Sequence, residues 1–421
     1  MEEANNLLIG FDLCNDYSQI ACFNNITFEP EIIRYELNSE NELLKTVMAV
    51  RNDTKEWLFA DDAVKFIEEG KAAEVSDIVD SVINGNKIKI FDSEFEPIDI
   101  LSKYFRKTLS LIKKYHPNDV IAKLVVTIEN TNVDLINGIF EALEKLGISK
   151  ERVSVQSHSQ SFVYYALSRS KELWMNDIVL FHFDIHGLKF YQIKLDRRHR
   201  PIIVATIYKD LSEALNYKLI EEKHELQAKM LFKDLSEAML HKQIITAAYL
   251  TGKGFEGKWY EEVVYKWLGA TRVFKGVNLF AEGACYAAKE YYSGGKFDDF
   301  LIMNEDMIST TILVNAYYDA KESEMIFTKV ATAWYEVDKS QDFILNDTNE
   351  VEVIVIDNVK NTRKSFIIAI DLMNARPNKT TRIRMRVRFL DVKTCVVTIR
   401  DLGFGDFYPA TNRVWEKIIE I

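Results

Sequence analysis

The stretch IVLFHFDIHGLKFYQIKL, residues 178–195, decides how the chain is read. An apolar run ends in Asp184, a turn of Ile185, His186 and Gly187 follows, and a second apolar run returns. Gly187 meets the needs of a tight turn, but no turn requires an acid that still sits inside the apolar pattern. The spacing therefore predicts a buried hairpin with Asp184 at its tip and a use for that acid.

A second copy stands near the start of the chain. In LLIGFDLCNDYSQIACF, residues 7–23, Phe11-Asp12-Leu13 superposes on Phe183-Asp184-Ile185, each at the end of an apolar run and each followed by a polar turn and a returning run. Internal repeats of this kind imply two related halves, each opening on a hairpin with one acid at its tip. Two such acids facing across a cleft suit a hard divalent cation such as magnesium, whose oxygen ligands are often completed by water and substrate phosphates. Backbone N–H groups of the adjoining turns offer a nest for phosphate oxygens.

The rest of the chain sets the limits. Its 421 residues, at about 150 per domain, predict two to three domains, and a 48% hydrophobic content is enough for full cores. A net charge of −11 argues against broad attraction to nucleic acid or an anionic membrane surface. No apolar run approaches the ~18 residues of a membrane span, and the N-terminus lacks a basic leader, so a cytoplasmic location is expected. The four cysteines, Cys14, Cys22, Cys285 and Cys395, have no CxxC spacing, which fits a reducing compartment without a disulfide framework or a cysteine zinc site.

Periodicity predicts strands at 7–13 and 18–24, short strands near 46–51 and 56–59, and helices at 60–69 and 97–115. IAKLVVTIEN reads as a buried strand that leads into a helix ending at Gly147, the strand–helix unit of a parallel sheet. Residues 210–242 lack proline and glycine and predict one long helix or a helical pair, with further helices at 258–268 and 278–293. From about 298 the texture changes to alternating segments, an all-β region with little helix until the last few residues.

Taken in order, these motifs resemble the actin-like ATPase superfamily, and within it the DnaK-type heat-shock chaperones and their uncharacterised bacterial relatives. IGFDLCNDYS is similar to the first phosphate loop and FDIHGLKF to the second; SHSQSFVYYAL is similar to the connecting helix, AAYLTGKGFEG to the adenosine motif and NLFAEGACYAA to the closing helix. The region FIIAIDLMNARPNKTTRIRMRVRFLDVKTCVVTIRDLG is similar to the chaperones' β-sandwich. The resemblance implies a two-lobed α/β domain of ribonuclease H-like repeats over 1–297, with lobe I at about 1–160 and lobe II at about 161–297, followed by a β-sandwich over 298–421. Only 64 residues separate Gly187 from Gly252, which implies a reduced upper subdomain in lobe II, and with the sequence ending at Ile421 the chaperones' helical lid is not expected.

Carried over position by position, the resemblance implies Mg-ATP or Mg-ADP in the cleft. Asp12 and Asp184 would hold the magnesium through water and serve catalysis, and Gly187, Gly252, Gly254 and Gly283 would let phosphate or adenosine approach the backbone. Asn15, Asp16, His186 and Lys189 would complete the nucleotide site, with Lys189 steadying the phosphates. The family's first-loop Gly-Thr-Thr is Cys14-Asn15-Asp16 here, and its second-loop Gly-Gly-Gly-Thr is His186-Gly187-Leu188-Lys189. Where the family places a glutamate that aids water activation, this chain has Ser157, with Gln156, His158 and Gln160 nearby. Hydrolysis needs a positioned water, so the expectation is a slow ATPase or a pseudo-ATPase, with a non-catalytic scaffold and an actin-like filament as alternatives.

Three smaller features complete the reading. His182, Asp184 and His186 project to one side of an ideal strand, a transition-metal spacing, though the plainer reading packs His182 in the sheet and leaves His186 in the cleft. Arg382, Arg384, Arg386 and Arg388 alternate with apolar residues, as a solvated strand face or as a stripe that meets an acidic protein or peptide partner or the acidic α/β body. Cys14 is either a small buried residue or a thiol beside the phosphate site.

Overall fold

A computed structural model describes residues 6–36, 42–267, 271–276, 278–372 and 376–421. Residue 268 of the expected 258–268 helix and residues 373–375 of the β-region motif lie outside these. The chain divides into two compact units, Met1–Phe300 and Leu301–Ile421.

The first unit is built on two sheets of the same plan. In one, the strands run in the order Glu29–Ile32, Tyr17–Asn24, Asn6–Leu13, Val120–Ile128, Val153–Ser157. The first three are antiparallel neighbours, and the last two add parallel to Asn6–Leu13. In the other, the order is Ile202–Asp210, Gly187–Asp196, Asp177–Asp184, Ile245–Thr251, Arg272–Lys275, again with two antiparallel pairings followed by two parallel ones. The opening strand of each half is thus central, which explains its near-continuous apolar run: a strand covered on both faces needs apolar residues at every position. Asp12 and Asp184 stand at the same end of these two strands.

Helices close both sheets. The amphipathic Glu225–Leu240 helix turns Ala228, Phe232 and Ser236 inward, and Phe232 enters an aromatic cluster with Phe181, Phe255 and Trp259. The Leu279–Ser293 helix packs on the Asn6–Leu13 strand and on the His158–Ser168 helix. Two glycines set how closely it can approach. A Cβ at Gly10 would lie 2.2 Å from the Ala281 carbonyl oxygen, and one at Gly283 would lie 2.0 Å from that of Ser161. Gly283, expected to open the backbone to adenosine, is therefore required where two helices cross.

The 210–242 region holds the helical pair rather than one long helix, and the pair fills less of the stretch than expected. A strand, Ile202–Asp210, runs up to it, and helix is confined to Lys218–Glu221 and Glu225–Leu240. The β-branched IIVATI run pairs with Gly187–Asp196. The chain then folds back on Leu188, whose N–H donates to the Leu215 carbonyl and whose carbonyl accepts from Leu211 N–H.

The Leu301–Ile421 unit contains two four-stranded antiparallel sheets. One apolar cluster is shared between them, with Ile312, Val353 and Val355 from the first and Ile383, Met385, Val387 and Ile399 from the second. From Arg382 to Phe389 the alternation in the Arg382–Asp391 strand is complete, apolar residues buried and arginines outward. The final residues form a strand, Val414–Glu420, rather than a helix. Its backbone pairs with Thr394–Asp401, and a buried Ile419 anchors that register.

Candidate functional site

A cleft of about 450 Å³ lies where the tips of the two opening hairpins meet within the first unit. Asp12, Asn15, Asp16, Asp184, His186, Lys189 and Gly252 all line it, whereas Gly283 belongs to the helix crossing. Among the described lining residues, carboxylates outnumber lysines.

Both strand-end acids are held by histidines. Asp12, only 7% exposed, takes His158 Nε2 at 2.8 Å on Oδ1, and the Cys14 thiol donates to the same oxygen at 3.6 Å. His158 is the first residue of the His158–Ser168 helix, and its ring stacks on Phe280 with centroids 3.8 Å apart. Asp184 accepts His182 Nε2 at 2.6 Å on one oxygen and the His186 N–H at 2.9 Å on the other. Burial raises the Asp184 pKa, but His182, Lys189 and the His186 N–H outweigh it and hold the carboxyl well below the usual carboxylate range.

Among the described residues, three polar contacts join pairs of lining residues across the cleft. His186 Nε2 meets Asp16 Oδ2 at 2.5 Å, Lys189 pairs with Glu129, and Lys253 reaches the Tyr17 hydroxyl. In each, one residue belongs to the first half of the unit and the other to the second. The bond to Asp16 raises the His186 pKa. Burial would lower the Lys189 pKa, but Asp184 and Glu129 overcome it and keep the ammonium charged. Cys14 behaves oppositely: burial first, then Asp12, Glu129 and Asp184, push its thiol well above the ordinary value. That makes it a poor nucleophile at neutral pH.

The glycines of the two motifs answer to the protein's own backbone. Gly252 has φ +95°, and a Cβ there would stand 2.3 Å from the Phe183 carbonyl oxygen, while one at Gly254 would strike the Phe183 ring. At Gly187, φ +102°, a Cβ would lie 2.5 Å from Ser212 Cβ. Close packing explains each of them without a ligand.

His182, Asp184 and His186 do not converge on one point: His182 stays with Asp184, and His186 crosses to Asp16. The arginine stripe is partly neutralised within its own sheet, with Arg384 bound to Asp342 at 2.6 Å and Arg386 to Asp338 at 2.6 Å. Glu129, Lys253, Tyr17 and Phe280 were not singled out from the sequence. Glu129 had a usable signal, since it follows an apolar strand as Asp12 and Asp184 do.

Direct ligation of a magnesium ion by the two acids does not fit this donor set. Each carboxylate is already bound to an imidazole, and the group around Asp12 mixes oxygen, nitrogen and sulfur, whereas magnesium prefers oxygen donors.

The fold and site define a duplicated α/β unit with a polar cleft that the protein's own side chains bridge, joined to an all-β unit. The chain belongs to the family of unknown function DUF5716, whose C-terminal model matches residues 29–305. Residues 307–421 match a domain of unknown function, DUF8552. The first of these matches begins after the Asp12 hairpin and includes the Asp184 hairpin. No curated protein matches the chain. Among the described residues no helix is long and apolar enough to cross a membrane.

Proposed function

We propose that this chain is a cytoplasmic DnaK-like member of the actin-type ATPase superfamily that works as a pseudo-ATPase: its cleft takes adenine nucleotide weakly and does not turn it over, and its β unit contacts protein or peptide. The common strand order of the two sheets, with one acid at the same end of each opening strand, supports the superfamily reading. The three cross-cleft pairs support the loss of catalysis. In a working nucleotide enzyme the phosphates and their cation receive fixed donors in the cleft. Here Lys189 and His186 spend those donors on Glu129 and Asp16.

An acidic cleft repels a bare triphosphate, so any magnesium arrives on the phosphates rather than on a protein site. Thermal unfolding with millimolar Mg-ATP and Mg-ADP, run beside a phosphate-release assay, tests the reading. A ligand at five times its Kd stabilises by about 1 kcal/mol, and a small shift of that size without phosphate release is expected. Turnover that Asp184→Asn abolishes would overturn the pseudo-ATPase assignment. No shift at any nucleotide concentration would favour the second reading, a scaffold that has lost the nucleotide, for which the cross-cleft pairs are also the supporting observation.

A further inference from the structure

Three different donor atoms meet at the base of the cleft, each from a separate piece of the chain. Asp12 comes from the end of the Asn6–Leu13 strand, Cys14 from the turn after it, and His158 from the start of the His158–Ser168 helix. His158 Nε2 lies 2.8 Å from Asp12 Oδ1 and 3.9 Å from Cys14 Sγ, and Cys14 Sγ lies 3.6 Å from the same Asp12 oxygen. The imidazole is 2% exposed and fixed against the Phe280 ring, with only 8° between the two planes. Nitrogen, oxygen and sulfur therefore form a closed triangle instead of pairing with separate partners.

The triangle has the dimensions of a metal site. With zinc about 2.3 Å from sulfur and about 2.0 Å from nitrogen and oxygen, tetrahedral ligands stand roughly 3.3 to 3.6 Å from one another. The Asp12–Cys14 edge has this length already, the His158–Cys14 edge closes by about 0.4 Å, and the His158–Asp12 edge opens by about half an ångström when a metal replaces the hydrogen bond. We propose that Asp12, Cys14 and His158 bind a transition metal of the zinc class, with its fourth position open to the cleft that Asp12 and Cys14 line. Three protein ligands and one open position are the arrangement of zinc sites that bind water or substrate. A mixed imidazole, thiolate and carboxylate set selects such a metal over magnesium.

The proton balance follows from the donors. Two protons that point at Asp12 Oδ1 are displaced: Cys14 binds as thiolate and gives its proton to solvent, and His158 gives up its Nε2 proton to solvent and binds through Nε2 as a neutral ring protonated at Nδ1, taking a solvent proton there if the ring was neutral beforehand. No electron is transferred, and no nucleotide takes part, so the site stands or fails independently of the nucleotide reading.

The test uses the full chain, dialysed against chelator and titrated with cobalt(II) alone. One cobalt per chain with a thiolate-to-cobalt charge-transfer band in the near ultraviolet is expected, displaced by one equivalent of zinc and not by excess magnesium. Cys14→Ser should remove the band and weaken binding at least tenfold, and His158→Gln should weaken it comparably. Cys395→Ser, in the β unit, should leave both unchanged. A measurement on the unsubstituted chain avoids any folding defect of the variants: X-ray absorption at the zinc edge of the loaded chain should show one sulfur at about 2.3 Å and the remaining donors, nitrogen and oxygen, at about 2.0 Å. No charge-transfer band at saturating cobalt, a band that survives Cys14→Ser, displacement by magnesium, or a zinc shell without sulfur would each overturn the site.

Discussion

The two hairpin tips of the Met1–Phe300 unit occupy the same place in sheets of the same order, yet they hold their acids differently. Asp184 is satisfied locally, by His182 two residues earlier in its own strand and by the backbone N–H of His186. Asp12 is satisfied by a residue 146 positions away, His158, and by the Cys14 thiol. The common strand order puts the acid in the same position in both sheets while its partners differ. The first tip depends on tertiary packing, through the Phe280 stack on His158, and the second depends mainly on its own turn.

Substitutions that break the links between the two tips should have the largest effect. Lys189 is 3% exposed and its ammonium faces Glu129, so Lys189→Met leaves a carboxylate without its counter-charge. Breaking a buried pair by removing one partner costs about 3 kcal/mol, and chemical denaturation should show a loss of that order. A midpoint unchanged within error would mean the cross-cleft pair does not hold the halves together.

Gly283→Ala comes next. The added methyl meets the Ser161 carbonyl at the helix crossing, and overpacking of this kind costs about 2 kcal/mol. If the melting temperature stays put while nucleotide binding falls, the glycine serves a ligand and the packing explanation is wrong.

Asp184→Asn sharpens the contrast between the tips through pH. A charged hydrogen-bonded partner is worth about 1.5 kcal/mol, and the depressed Asp184 pKa fixes the sign. Its contribution is present above the ordinary carboxylate pKa and disappears as pH falls through the lower folded value. Melting curves of the parent and the variant should therefore differ most at neutral pH and converge in acid; a gap that widens in acid would contradict the pairing with His182.

The smallest effect is expected at His186, which is half-exposed. Its folded pKa is raised by Asp16, so its contribution is complete below the ordinary histidine value and is lost as pH rises through the higher folded one. His186→Gln should lower the melting temperature slightly at pH 5.5 and not at pH 9. An equal effect at both would remove protonation from the account.

Much of the frame could be read from residue order. The duplicated Phe-Asp at 11–12 and 183–184 predicts two hairpins, and both are present, with the acids at equivalent ends. The alternation from Arg382 to Phe389 predicts its strand for the same reason, since a half-buried sheet imposes a period of two. The Ile202–Asp210 strand was harder to see, because its β-branched run leads straight into a stretch without proline or glycine that reads as helix. VWEKIIE satisfies both helical and strand spacing, and only its pairing with Thr394–Asp401 decides between them.

The site was less legible than the frame. Asp12, Asp184, His186 and Lys189 do line one cleft, but their partners come from distant segments that a one-dimensional pattern cannot join. Glycine is ambiguous for a physical reason: a backbone that must approach a phosphate and one that must approach a helix both exclude Cβ. At Gly252 and Gly283 the neighbour is the chain itself.

Phosphate release from millimolar Mg-ATP, measured for the parent chain beside the Asp12→Asn/Asp184→Asn double variant, tests the central claim most directly. A cleft bridged by Lys189–Glu129 and His186–Asp16 predicts that the two proteins release phosphate at the same background rate. Release by the parent that clearly exceeds the double variant would contradict it and restore both acids to a catalytic role.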